Sequence, residues 1–169
     1  MLFVYDGLRN IDFTQLMDLY QEGNRENGAE FYADLPAGQQ LLRAEQDFYD
    51  YLRAGFFNRP GDRYCIWEEN GRYVSALRLQ RYADGCLLEA LETHPDHRGR
   101  GYARRLIRAA LETISEKKIY VHISHRNAAS IAVHTACGFR KIADHARYAD
   151  GSVNSRCGTY LYEKQETQA

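Results

Sequence analysis

The 169-residue sequence has few of the features that mark specialised classes of protein. It contains four cysteines and no Cys-x-x-Cys pair, which argues against a zinc site or a thioredoxin-type centre. All four are therefore expected to be free thiols, most of them buried. No run approaches about 18 apolar residues, so the sequence predicts no membrane span. The net charge of −1 disfavours a dedicated nucleic-acid binder.

The first residues, MLFVYDGLRN, have no basic stretch and no long apolar run behind it. They resemble a first strand more than a signal peptide, so a cytoplasmic protein is expected. The length is sufficient for one well-buried core and short for two, which predicts a single domain over residues 1–169.

Apolar spacing and turn signals predict an alternation of helices and strands. Asn70-Gly71 and Ala83-Asp84-Gly85 separate three strand-like segments, as tight turns do in an antiparallel meander. The expected order is β-α-α-β-β-β-α-β-α-β-β, with helices at about 12–26, 39–54, 101–115 and 128–137 and strands at 2–5, 63–69, 72–80, 86–93, 119–124, about 139–148 and 157–163. This order predicts an α+β fold of three layers (α/β/α), with helices on both faces of a mixed, mostly antiparallel sheet.

The most informative segment is LETHPDHRGRGYARRL, residues 91–106. A strand ends at Thr93, and the glycines and arginines of RGRGYA then begin an amphipathic helix. Glycines allow the backbone to approach a ligand, and the free N–H groups and dipole of a helix N-terminus attract anions. The segment therefore predicts a pyrophosphate site. It is neither a P-loop, which ends in G-K-[ST], nor the Rossmann G-x-G-x-x-G. The five arginines within residues 98–108 could also form a nucleic-acid patch, but the net charge disfavours this alternative.

Residues 98–103 resemble the R-x-x-G-x-A acetyl-CoA loop of the GCN5-related N-acetyltransferase (GNAT) family. The segment N-x-x-S-I-x-V-H-x-x-C-G-F, residues 127–139, resembles a second motif of that family at the expected distance. The resemblance implies a transferase that uses acetyl-CoA as co-substrate, without a metal, and acetylates a primary amine of a small molecule or peptide by direct attack in a ternary complex. The competing interpretation is a non-catalytic module that binds acyl-CoA as a sensor or interaction domain.

The resemblance also implies where acetyl-CoA binds. Strand 86–93 is expected to splay from strand 119–124 through a bulge near Leu91-Glu92, whose backbone N–H groups are the candidate oxyanion donors. Backbone groups near the bulge would bind the pantetheine arm, the loop would hold the pyrophosphate, and two residues of the second motif would lie near the thiol. The cofactor-binding residues implied are Leu91, Glu92, Thr93, Arg98, Gly99, Arg100, Gly101, Tyr102, Ala103, Asn127 and Ser130.

Three residues are candidates for proton transfer. His134 occupies the position where the family has a tyrosine that protonates the departing thiolate, and an imidazole can replace a phenol in that role when it carries a proton. A histidine among apolar neighbours can equally be a packing residue. His122 lies on the polar face of its strand and is the first candidate for the general base, and Glu89 is the second. Cys137 could suggest an acetyl-cysteine intermediate, but its place beside a helix end favours packing.

Charge is unevenly distributed, since residues 12–50 carry a net charge of −7 and the remainder carries +6. In the family the first two helices and the last hairpin border the acceptor. The acids there indicate a cationic amine as acceptor, or else a solvated helix face. The expected partners are therefore acetyl-CoA and an amine, with neither nucleic acid nor membrane, and a homodimer remains open.

Overall fold

The computed structural model of the chain describes residues 1–165, and a seven-stranded sheet lies at its centre. The strands are β1 Leu2–Tyr5, β2 Arg63–Glu69, β3 Arg72–Tyr82, β4 Gly85–Thr93, β5 Lys118–Ser124, β6 Arg140–Ala143, β7 Ala146–Arg147, β8 Val153–Asn154 and β9 Cys157–Glu163. The helices are α1 Phe13–Leu19, α2 Gln21–Phe31, α3 Ala37–Asp50, α4 Tyr102–Thr113 and α5 Ala128–Ala136. The order in the sheet is β1-β2-β3-β4-β5-β9-β6, and β7 and β8 form a separate ribbon.

The sheet is antiparallel except for the pair β4–β5, as the predicted α+β fold requires. One apolar cluster packs α4 on one face of the sheet, and a second packs α1 and the segment after α3 on the other. Three cysteines are buried, the fourth is partly buried, and all four are free, which confirms their prediction. Within residues 1–165, the helices are all too short or too polar to cross a membrane.

The helix predicted over residues 12–26 is wrong, because the chain forms two helices that meet at Tyr20. Tyr20 leaves helical geometry at ψ 11° and donates its hydroxyl to the carbonyl of Ala90, 2.6 Å away. The residue at the break thus contacts a strand 70 residues further along the chain. Helix α3 begins two residues earlier than predicted and continues as a π-helical turn, Tyr51–Phe56.

The strand predicted over residues 139–148 is also wrong, because it is divided into β6 and β7. Only β6 pairs with β9, whereas β7 turns away to pair with β8. The turn predicted at Asp150-Gly151 is confirmed as the connection of this second ribbon, with Gly151 at φ +85°.

Strands β4 and β5 pair at only two positions, Cys86 with Ile119 and Leu87 with Tyr120, and then separate. The register of β4 against β3 shifts in the same region, because Ala76 faces Glu92 whereas Arg78 faces Glu89. The bulge is therefore at Ala90-Leu91, one residue before the predicted position. Ala90 takes the left-handed conformation, at φ +52°, and its small side chain makes this less costly than it would be for leucine or glutamate.

Candidate functional site

A cavity of about 510 Å³ opens between the bulge of β4 and the N-termini of α4 and α5. Ten of the eleven residues implied to bind acetyl-CoA line it, and Arg100 is the exception. Four further lining residues were not predicted as cofactor-binding residues: His97 in the turn before the loop, Arg104 in α4, and Ala129 and Val133 in α5.

The N-terminus of α4 provides unpaired donors in this cavity. Helix α4 begins at Tyr102, and its N-cap residue Gly101 offers no side-chain cap. The N–H groups of Tyr102, Ala103 and Arg104 therefore lack intrahelical partners, and the helix dipole adds positive potential there. Gly99 and Gly101 lie at φ +74° and +80°, a conformation that favours glycine although open space surrounds both Cα atoms.

The side chain of Arg98 connects this loop to two other elements. Its Nη2 donates to Glu22 of α2 at 2.6 Å and to Glu92 of β4 at 3.1 Å, and its Nε donates to the Thr93 carbonyl at 3.1 Å. The Thr93 N–H, expected near the pantetheine arm, donates to the Glu92 carboxylate at 3.0 Å. The ion pair with Glu22, 76 residues away in sequence, was not predicted because no local pattern relates the two residues.

A smaller cavity of about 190 Å³ lies in the gap between β4 and β5. Glu89, His122 and His134 all line it, so the three candidates for proton transfer converge. Leu91, Asn127 and Ser130 line both this inner cavity and the larger one. The inner cavity is therefore next to the part of the larger cavity that is farthest from the α4 loop.

Hydrogen bonding fixes the tautomer of His134. The side chain is 1% exposed, and Nδ1 lies 2.8 Å from the carbonyl oxygen of Ser130. A carbonyl only accepts, so Nδ1 carries the proton and Nε2 carries the lone pair. Within residues 1–165, Nε2 has no hydrogen-bond partner. Burial lowers the pKa of His134 below its ordinary value, and the Ser130 carbonyl opposes this shift, so the neutral ring is favoured near neutral pH.

His122 has the same tautomer for a different reason. Its Nδ1 lies 3.1 Å from Oγ1 of Thr159, and that hydroxyl donates its proton to the carbonyl of His145 at 2.7 Å. The hydroxyl can therefore only accept from Nδ1, which leaves the lone pair on Nε2. Nε2 has no partner among the described residues. Burial lowers the pKa of His122, against the opposing effect of the Arg147 carbonyl.

Glu89 is held by a partly buried arginine. Nε of Arg78, on β3, lies 3.2 Å from a carboxylate oxygen of Glu89, directly across the two strands. The arginine side chain is 14% exposed and that of Glu89 is 26% exposed. The carboxylate thus has a cationic partner that keeps it in one position.

The hairpin of β7 and β8 borders His122. The Tyr148 ring lies 5.7 Å from the His122 ring, and Tyr82 contacts the same imidazole at 5.4 Å. The Tyr82 hydroxyl donates to the carbonyl of Arg147 at 2.6 Å, which fixes the hairpin against the sheet.

No group of acidic, histidine or cysteine side chains within residues 1–165 has the arrangement of a metal site.

Comparisons with known proteins agree with this geometry. The model of the Acetyltransferase (GNAT) family matches residues 15–139. No curated protein sequence matches the chain. The structure is similar to the PaiA N-acetyltransferase of Thermoplasma acidophilum in complex with coenzyme A (TM-score 0.66, 11% identity, 97% of this chain and 99% of that chain). It is also similar to the ribosomal-protein-S18-alanine N-acetyltransferase of Escherichia coli (TM-score 0.58, 16% identity, 100% and 99%).

A variant of the spermidine N-acetyltransferase SpeG of Vibrio cholerae is similar over a smaller part (TM-score 0.52, 19% identity, 73% of this chain and 75% of that chain). At these identities the structural similarities establish the fold, while the family match covers the loop at residues 98–103, the splayed strands and the second motif. The chain therefore belongs to the acetyltransferase (GNAT) family.

Proposed function

We propose that this protein is an N-acetyltransferase that transfers the acetyl group of acetyl-CoA directly to a primary amine of a small molecule or peptide. The observation that carries the proposal is the arrangement of the two adjoining cavities. Unpaired N–H groups of α4 lie at one end, where a pyrophosphate would bind, and Glu89, His122 and His134 lie at the other. The coenzyme A complex of the PaiA N-acetyltransferase supports a CoA thioester as the donor, and the spermidine named for SpeG supports an amine as the acceptor.

His122 is suited to remove the proton from the attacking amine. The Thr159 hydroxyl holds the proton on Nδ1, so Nε2 is available to accept one. The lowered pKa keeps the ring neutral at physiological pH, which is the form that a base requires. Glu89 is the second candidate, and its carboxylate lies 3.2 Å from Nε of Arg78.

His134 can protonate the departing thiolate only as the imidazolium ion. In the neutral ring the single N–H donates to the Ser130 carbonyl, and Nε2 has no proton to give. Since burial lowers the pKa of His134, the acidic form is the minor one at neutral pH. A non-catalytic acyl-CoA module is therefore the second candidate function, and the neutral, buried His134 is the observation that favours it.

A cationic acceptor remains part of the proposal. Glu26 and Glu30 are exposed on α2, whereas the carboxylate of Glu22 is paired with Arg98 of the acetyl-CoA loop. Changing Glu22 would disturb the loop as well as the acidic face, so only the other two acids test the idea. If the acceptor is cationic, Glu26→Gln/Glu30→Gln should raise its KM and leave the KM of acetyl-CoA unchanged.

The decisive experiment is incubation of the full-length protein with acetyl-CoA and a panel of amines. Release of the CoA thiol and the mass of the acetylated product are both measured. An N-acetyltransferase gives acceptor-dependent turnover, and His122→Asn reduces it about 10²-fold or more. His125→Asn is the matched control, because His125 is exposed and lies outside both cavities. Binding of CoA by calorimetry without any product would instead support the non-catalytic module.

A further inference from the structure

A third cavity, of about 340 Å³, lies between α2 and α3 on the face of the sheet that carries Glu89. Aromatic rings, two asparagines and one arginine form most of its lining. The lining residues include Asn24, Phe31, Tyr32, Phe48, Tyr51 and Arg78. Nothing in the acetyl-CoA site described above uses this cavity.

The guanidinium of Arg78 has more donors than partners. Its carbon lies 4.9 Å from the ring centre of Tyr51, 5.6 Å from that of Phe56 and 5.9 Å from that of Phe48. Its one ion pair is the contact between Nε and Glu89. Nε is buried and forms no hydrogen bond within residues 1–165, although the Glu89 carboxylate lies 3.2 Å away, and the side chain is 14% exposed. A buried donor without a hydrogen-bond partner is costly, so a bound group that accepts from this guanidinium would be favoured.

The Nη edge of this guanidinium has the geometry of a carboxylate site. A guanidinium is planar, and its two Nη groups form a fork that matches the two oxygens of a carboxylate. The contact of Glu89 with this guanidinium is at Nε and not at the fork. The nearby carboxylate of Asp47 would not repel a ligand strongly, because it accepts from the Tyr32 hydroxyl and pairs with Arg43 at 3.6 Å.

The position of Arg78 relates this site to the reaction centre. Arg78 and Glu89 are cross-strand partners, and Glu89 lines the inner cavity. The bulge at Ala90-Leu91 follows directly, at about 3.3 Å per residue along the strand. A ligand whose carboxylate binds Arg78 would therefore lie beside Glu89, which lines the inner cavity.

We propose that Arg78 binds the carboxylate of an amino-acid acceptor whose amino group is acetylated at the inner cavity. This inference rests on the proposed N-acetyltransferase activity and adds the class of acceptor. Glu89 would then contact the ammonium group, and the rings of Phe48 and Tyr51 would contact the acceptor side chain. A zwitterion matches the two charges of the Arg78–Glu89 pair, which a polyamine does not.

The test compares each of the twenty common L-amino acids with its amide, which lacks the carboxylate, and includes spermidine. With acetyl-CoA and the wild-type protein, kcat/KM for the preferred amino acid should exceed that of its amide at least about tenfold. Arg78→Lys keeps the charge but loses the fork. It should therefore reduce that ratio to near one, mainly by raising the KM of the amino acid. Arg81→Lys, at an exposed position of the same strand, should leave the ratio unchanged.

The outcomes separate this inference from the proposed function. Amides or spermidine used as well as the amino acids would overturn the Arg78 site and leave the acetyltransferase activity intact. If no amine is acetylated, the proposed function fails. Calorimetric titration of the same amino acids in the presence of CoA then tests the carboxylate site at Arg78 by itself. Binding that Arg78→Lys weakens at least about tenfold supports the carboxylate site. Absent binding, or binding that the variant leaves unchanged, overturns it. Thermal unfolding of Arg78→Lys verifies that the variant is folded.

Discussion

The replacement of His134 by tyrosine and by phenylalanine tests whether this imidazole protonates the departing thiolate. Phenylalanine removes the titratable group, whereas tyrosine introduces a phenol that stays protonated to about pH 10. His134→Asn is the control for packing, because its amide N–H can replace the Nδ1–H that donates to the Ser130 carbonyl. The three variants separate an acid from a buried structural donor.

The expected loss of kcat in these variants follows from the protonation state of the His134 ring. Burial lowers the pKa of His134 from its ordinary value of 6.5, so at pH 7.5 at most about a tenth of the molecules carry the imidazolium. A general acid contributes roughly 10²- to 10⁴-fold to the rate. His134→Phe should therefore lose about 10²-fold or more in kcat at pH 6, and the difference from wild type should decrease as the pH rises. His134→Tyr should retain turnover, with a rate that does not fall between pH 7 and pH 9.

The assay is the release of the CoA thiol between pH 5.5 and pH 9 at saturating acceptor. The kcat of each variant is divided by the kcat of the wild-type protein at the same pH. This ratio removes the titration of the acceptor amine from the comparison. Phenylalanine is larger than histidine and lies against Phe139, 5.3 Å from the present ring, so overpacking could cost about 1–3 kcal/mol. Thermal unfolding and CoA affinity are therefore measured for each variant.

Stability gives an independent check on the same residue. Because the folded pKa of His134 is lowered, the unfolded chain binds the proton more readily than the folded protein does. The stabilisation from the neutral ring is thus complete above pH 6.5 and is lost as the pH falls toward the folded pKa. The free energy of unfolding of His134→Asn should therefore change less with pH over this interval.

A His134→Phe variant with wild-type kcat at every pH would refute the acid role and leave His134 as a packing residue.

Three further substitutions test the supports of the site. Gly101→Ala should destabilise the fold by about 1–2 kcal/mol, because φ is +80° there, and should raise the KM of acetyl-CoA. Asn127→Ala should cost about 1 kcal/mol by removing the cap of α5, whose oxygen accepts from the Ser130 N–H at 3.0 Å, and Asn127→Ser should restore most of it. Tyr20→Phe removes the 2.6 Å bond to the Ala90 carbonyl, so it should cost about 1 kcal/mol and lower kcat more than it changes the KM of acetyl-CoA.

Chemical denaturation and steady-state kinetics measure all three. Unchanged stability in Gly101→Ala would contradict the assigned loop conformation. A serine variant at position 127 as unstable as the alanine variant would show that the asparagine does not act as a cap. Tyr20→Phe with normal kcat would mean that the bulge keeps its shape without this hydrogen bond.

The acetyl-CoA loop could be predicted from sequence because its signals are local. Two glycines, neighbouring arginines and the apolar period of α4 indicate a ligand-binding turn followed by an amphipathic helix within about fifteen residues. The hairpin turns at Asn70-Gly71 and Asp150-Gly151 are local in the same sense, since glycine permits the positive φ that they require. The resemblance to the GNAT family depends on such segments, and the family match confirmed it.

Features that depend on distant contacts could not be predicted. Tyr20, at the break between α1 and α2, binds the Ala90 carbonyl, and the side chain of Arg98 binds a glutamate that lies 76 residues before it. The shifted bulge has the same origin, because it depends on how β4 pairs with β3. Nothing in the residues around position 78 indicates that an arginine there would lie among aromatic rings.

The sequence by itself determined the order of most elements, the glycine-rich turn before α4 and the types of residue that line the inner cavity. Only the tertiary structure decided the chemical state of those residues. His134 and His122 are both neutral with the proton on Nδ1, because burial disfavours the charged ring and a distant or neighbouring oxygen accepts from that nitrogen. Protonation depends on solvent exposure and on partners in space, and neither is written in the order of residues along the chain.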